Sequence, residues 1–287
     1  MRQDSSGLLQ IHTAVLLFGL AGVLGKLVHQ PPLVIVLART WIAFFCLGLL
    51  LAATKKLTAL RTDGNFALQA LAGLLLALHW WTFFKAIQVS TVAIGLLAYC
   101  SFPVFTTFLE PLFFRERFRL RDLIAAAGVS LGLLIIVWPC KWGDRAVAGM
   151  LWGVVSGFLF ALLSLLNRGL VARDSALQVA MLQNGVAGLV FTLPALMGPP
   201  LSFSAVDIAG LILLGVACTA LAHALFIAGL KTIRVQLAGV IAALEPVYGT
   251  VLALLLAGEV PGRWTVAGGV LIVGTTMAAM YWRAGKV

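Results

Sequence analysis

Charged side chains are scarce in this chain. Asp, Glu, Lys and Arg make up 10% of its 287 residues, whereas 62% are apolar and the mean hydropathy is +1.07. Soluble domains carry about 25% charged residues, so this chain has too few polar groups to cover a water-facing surface. Cysteine is sparse as well. Cys46, Cys100, Cys140 and Cys218 stand far apart with no Cys-x-x-Cys pair, which supports neither a zinc site nor a disulfide framework. The four histidines are scattered. There is no His-Glu-x-x-His and no Gly-x-Ser-x-Gly elbow, and no acidic cluster of the Asp-x-x-x-Asp kind that a membrane-embedded enzyme on a lipid or isoprenoid substrate would need. Gly19 to Lys26 faintly resembles a phosphate-binding loop, but Leu20 stands where its first Gly belongs and Leu27 where its Ser or Thr belongs. No cofactor is expected, and any energy for work must come from ion or substrate gradients.

What is present in quantity is long apolar runs. A helical span needs about 20 apolar residues, and the chain contains ten such runs, near 10–28, 33–53, 66–84, 91–113, 122–140, 149–167, 176–197, 207–228, 236–258 and 264–282. The fold class expected is therefore all-α integral membrane, with ten transmembrane helices. Connections of at most about a dozen residues leave no room for a soluble partner-binding domain, which speaks against a receptor or scaffold. The first run lacks a small-x-small cleavage site after it and reads as a retained span rather than a removed signal peptide.

The net charge of +10 would suggest nucleic acid in a soluble protein. Here the basic residues sit in small groups between apolar runs, so no nucleic-acid partner is expected and the charge reports orientation instead. With the N-terminus cytoplasmic, 14 Lys and Arg fall in inside segments, including Arg115, Arg117, Arg119 and Arg121, and 5 fall outside: Lys26, Lys85, Lys141, Arg145 and Arg263. The positive-inside rule then places both termini in the cytoplasm of a cell (plasma or inner) membrane.

The sequence also repeats. Shifted by 143 residues, Phe83 to Glu116 lies over Phe226 to Glu259 with eight identities in 34 positions, Pro103-Val104 falling on Pro246-Val247 and Glu116 on Glu259. Two halves of five spans each, 1–140 and 141–287, must be inverted relative to one another because five is odd. Inverted repeats place a pathway at their interface near the bilayer midplane.

These features, together with the stretch Thr91 to Glu116 around Pro103-Val104-Phe105, and Leu244-Glu245-Pro246-Val247 ahead of Gly258-Glu259, resemble the drug/metabolite transporter superfamily, in particular its EamA branch. The likeness covers essentially the whole chain. It implies a secondary transporter, often an exporter, of amino acids, other metabolites or drugs, working by alternating access as a monomer or weak homodimer. Leu109-Glu110-Pro111 departs from the register of Glu245-Pro246, so the role of the second-half pair does not carry over to Glu110. A facilitative uptake permease remains an alternative, since direction cannot be read from the site.

An ionisable group inside a span costs at least about 2.5–3.5 kcal/mol on insertion scales, so each needs a reason. Glu245 lies near the middle of its run, and Pro246 removes a backbone donor and leaves the carbonyl of Ala242 unpaired. Such an acid can bind a proton, a cation or a substrate amine, which makes Glu245 the candidate for coupling. It can also simply fix the kink. Arg39 can hold a carboxylate or pair structurally. Glu110, near the end of its run among arginines, reads as an interfacial ion pair. His79, Trp80 and Trp81 fan over about 200° of a helix, so at most two face one cavity. Tyr99, Asn184 and Tyr248 serve either an interhelical hydrogen bond or substrate contact. Gly149, Gly153 and Gly157, and Gly128 with Gly132, predict close helix packing within the monomer or between monomers.

Overall fold

The structure, a computed structural model, describes residues 5–54, 66–114, 120–170, 175–229, 241–242 and 244–284. Glu110 and Arg168 fall in stretches whose side chains lie outside this description, as do Arg115, Arg117 and Glu116 altogether. The described residues form helices and connecting turns, with no strand among them. In chain order these are α1 (Ser5–Leu27), α2 (Pro32–Ala53), α3 (Phe66–Val89), α4 (Val92–Tyr99), α5 (Phe102–Phe114), α6 (Leu120–Val137), α7 (Arg145–Leu170), α8 (Ala176–Leu196), α9 (Ala205–Gly215), a π-helical turn (Val216–Leu221), α10 (Ala222–Gly229), α11 (Glu245–Ala257) and α12 (Arg263–Ala284). Six stretches among them are long and apolar enough to cross a membrane: Ser5–Leu27, Pro32–Ala53, Phe66–Val89, Arg145–Asn167, Leu177–Leu196 and Ala205–Phe226.

The run at 91–113 reads as a single span in the sequence, yet the backbone divides it into α4 and α5. Hydropathy sums side chains, whereas this interruption is a backbone event. Pro103 has no N–H to donate to the carbonyl four residues back. The helix therefore tightens at its end, with the Ser101 N–H bonded to Ala98 O at 3.1 Å, and restarts at Phe102. A second interruption precedes Glu245, where the Leu244 N–H bonds Ile241 O at 3.0 Å. A shift of 143 maps Ala98 onto Ile241, Ser101 onto Leu244, and both ends of the 13-residue α5 onto both ends of the 13-residue α11. The repeat detected in side chains is thus also a repeat of backbone bonds.

Small residues let these interrupted helices be held closely. Gly149, Gly153 and Gly157 lay one face of α7 along the end of α3 and along α4, with Gly157 against the backbone of Tyr99 and Phe102 at the break itself. Gly128 and Gly132 meet Thr275, Ile272 and Gly268 of α12. Both glycine stripes are therefore used within the chain. α3 packs chiefly on α7, α2 on α8, and α1 on α10 and α11. Gly19, Gly22 and Gly25, the string that mimics a phosphate loop, form the smooth face of α1 that meets α11, α4 and α3.

One end of the bundle is tied by side chains. The Lys26 ammonium donates to Ile87 O (3.0 Å) and Ser90 O (2.5 Å) and lies 3.5 Å from Glu259, whose other oxygen accepts the Val92 N–H at 2.8 Å. Glu259 reaches that position because Gly258 ends α11 at φ 66°, a left-handed turn that favours glycine. Asp207, 3% exposed, shares a capping box with Ser204 and also accepts the His29 N–H (2.8 Å) and Gln30 Nε2 (3.2 Å). Asp207→Ala leaves these donors without their acceptor and destabilises the bundle end. A thermal melt in detergent should record a drop of about 4 °C or more.

Candidate functional site

The cluster of interest is assembled where the two helix interruptions face α2, α3 and the π-helical turn. Arg39, 3% exposed on α2, lays its guanidinium over the Trp80 ring at 3.9 Å and lies 5.3 Å from the Phe84 ring. Its Nε and Nη2 donate to Thr219 Oγ1 at 3.1 and 2.9 Å. Trp80 also lies nearly parallel to His223 (ring centroids 6.4 Å, 25°), which meets Phe18 of α1 edge-on at 5.7 Å. An arginine stacked on an indole gains cation–π attraction that is larger when desolvated, which helps offset the cost of burying its charge.

A second group surrounds the α4–α5 break. His79 and the Ser156 hydroxyl share a 2.8 Å hydrogen bond at Nδ1, and the same hydroxyl donates to the His79 carbonyl at 3.1 Å. The imidazole lies 5.4 Å from the Tyr99 ring and 5.1 Å from Phe160, while Tyr99 stacks on Phe102 at 5.6 Å. Glu245 links the two groups. It heads α11, is only partly buried, and lies close enough for its charge to be felt at Arg39, Tyr99 and Cys100. Cys218, beside Thr219, likewise lies within electrostatic reach of Arg39.

The fold therefore brings together Arg39, His79, Trp80, Tyr99 and Glu245. Three other sequence candidates lie elsewhere. Trp81 points away from Trp80 and meets Trp152 of α7 edge-on at 5.6 Å, as the helical fan requires for one of three consecutive residues. Asn184 is fully buried in α8, where Nδ2 bonds Ala180 O of its own helix at 2.8 Å and Oδ1 has no partner among the described residues. Tyr248 is one turn beyond Glu245 but turns toward α1, its hydroxyl 2.8 Å from His12 Nδ1, in a separate small core with Ile11, Val15 and Ile241. The hydroxyls of Thr219 and Ser156 and the imidazole of His12 complete these contacts without standing out in the sequence. For Thr219 the missing signal is the π-helical turn, whose six residues contain no proline or glycine although Gly215 directly precedes them. Among the described residues no three of His, Cys, Asp and Glu gather as a metal site.

Long apolar helices around an interior cluster of one arginine, one acid and several aromatic rings define a multi-pass helical membrane protein with a polar centre. Residues 5–138 and, a second time, residues 147–281 match the EamA-like transporter family. The chain belongs to that family of membrane transporters of small molecules. It is 32% identical over 114 residues to an uncharacterized transporter of Haemophilus influenzae, covering 39% of this chain and 67% of that one. It is 27% identical over 203 residues to an uncharacterized transporter of Archaeoglobus fulgidus, covering 70% and 71%. A crystal structure at 20% identity superposes on 99% of this chain and 100% of its own with a TM-score of 0.65, a likeness of fold.

Proposed function

We propose that the chain is a secondary transporter of small organic metabolites, such as amino acids or amphipathic compounds, that exports them by alternating access. In this reading ten spans form two inverted five-span halves, 1–140 and 141–287, with both termini in the cytoplasm of the cell membrane and the working unit a monomer or weak homodimer. The observation that carries it is the pair of helix interruptions at Ser101 and Leu244, related by 143 residues, the second of which has Glu245 at the head of its helix, within electrostatic reach of Arg39. Interrupted helices near mid-membrane are where transporters of this architecture place solute and ion sites. Arg39, His79, Trp80 and Tyr99 would line the solute's path, with Glu245 as substrate or coupling acid. Trp81, Asn184 and Tyr248 would act through packing around it. Coupling to protons would run through Glu245, the partly exposed acid of the cluster.

The test is a metabolite-toxicity screen in a host with and without the protein, followed by flux of the protected solutes in reconstituted vesicles. Solutes whose accumulation falls on expression and whose flux is carried by the purified protein support export. Rising accumulation would favour the uptake permease, and no affected solute would set transport aside.

A further inference from the structure

The stretch Ala205–Phe226 is α-helical on both sides of Val216–Leu221 and π-helical within it. A π turn is rare and concentrates at functional sites, and Val-Ala-Cys-Thr-Ala-Leu contains no proline or glycine to force one. Its visible product is the placement of Thr219. That residue is fully buried, donates its hydroxyl to Leu214 O five residues back at 2.7 Å, and accepts both Nε and Nη2 of Arg39. One donor and two acceptor positions are all a hydroxyl has, so Thr219 is saturated. The Nε–Nη2 edge of the guanidinium is thereby pinned while Trp80 fixes its plane.

Arg39 and Glu245 feel one another's charge, yet the direct ion pair recorded among the described residues is Lys26–Glu259, at the end of the bundle. Opposite charges in a low-dielectric interior attract far more strongly than in water, so an unrestrained arginine would close on the acid. We propose that Thr219 is a positioning residue that holds Arg39 back from Glu245, keeping the two charges apart so that each stays available to a solute group of opposite sign. The inference rests on the reading that Arg39 and Glu245 line the path.

The restraint can be tested without any solute, on the purified full-length protein in detergent. Arg39→Gln, Glu245→Gln and their combination are compared by melting temperature in three backgrounds: Thr219 itself, Thr219→Val and Thr219→Ser. With Thr or Ser at 219 the two replacements should show only the weak coupling of charges held apart. With Val, which keeps the shape but loses the hydroxyl, Arg39 closes on Glu245 and the pair becomes more strongly coupled. The shortfall of the double replacement against the sum of the singles should then exceed that seen with Thr219 by at least about 3 °C. Thr219→Ala takes the place of Val if the Val protein does not fold. Coupling no stronger with Val than with Thr219, or equal behaviour of Ser and Val, would overturn the proposal. Because no transported solute is needed, a failure of the transport reading in the vesicle screen and a failure of this restraint are read separately.

Discussion

Glu245→Gln should abolish solute flux in reconstituted vesicles, lowering it by about 100-fold or more, while the protein still folds. Gln keeps the volume of the side chain and can hydrogen-bond at the first position of α11, so the helix start marked by Pro246 is retained. What it removes is the negative charge that faces Arg39, Tyr99 and Cys100. A 100-fold loss corresponds to about 2.7 kcal/mol, the size of one hydrogen bond between a solute and a charged group. Flux measured across a range of pH separates two roles. If the acid carries a proton, the residual flux of the Gln protein loses its pH dependence. If it only binds the solute, the dependence persists at a lower rate. Unchanged flux with unchanged pH dependence would remove Glu245 from both roles.

Gly19→Val should have the largest effect on folding. α1 and α11 cross at Gly19 and Gly249, and a Cβ at position 19 would meet the Gly249 nitrogen at 2.8 Å, the Glu245 carbonyl at 3.2 Å and the Gly249 Cα at 3.2 Å. All three are backbone atoms, so no side chain can rotate away and α11 itself must move. Overpacking usually costs about 1–3 kcal/mol when side chains adjust, and this contact belongs at or above the top of that range. A fall in melting temperature of about 6 °C or more is expected. Gly19→Ala is the gentler probe: it should fold yet carry less flux, because the helix it displaces begins with Glu245. Gly274→Ala, where nothing among the described residues lies within 4 Å, should leave the flux unchanged and should not lower the melting temperature. Equal melting of the Gly19 and Gly274 proteins would mean that the crossing is not as close as described.

The apolar character of the helices was legible from the start, since six long runs carry it in side chains that can be counted. The interruption between α4 and α5 was not, because a run of apolar residues has the same hydropathy whether its backbone is whole or broken; only Pro103 hinted at it. In the site, Arg39 and Glu245 stood out because charge is conspicuous where the bilayer makes it costly. The choice between Trp80 and Trp81 was out of reach, for it depends on which neighbours a helix acquires: Trp80 found Arg39 and His223, Trp81 found Trp152. Thr219 was hidden for another reason. A hydroxyl in an apolar run satisfies itself on its own helix in most places, as Thr40 does on Val36 O, and nothing in the letters distinguishes the one that reaches a distant arginine.

The interruptions at Ser101 and Leu244 match in backbone bonds and in the length of the helix that follows, but the residue that opens that helix differs: an aromatic ring at Phe102, a carboxyl at Glu245. The two helix starts thus differ in charge at their first residue. The helix start at Phe102 is an uncharged counterpart of the one at Glu245 inside the same molecule.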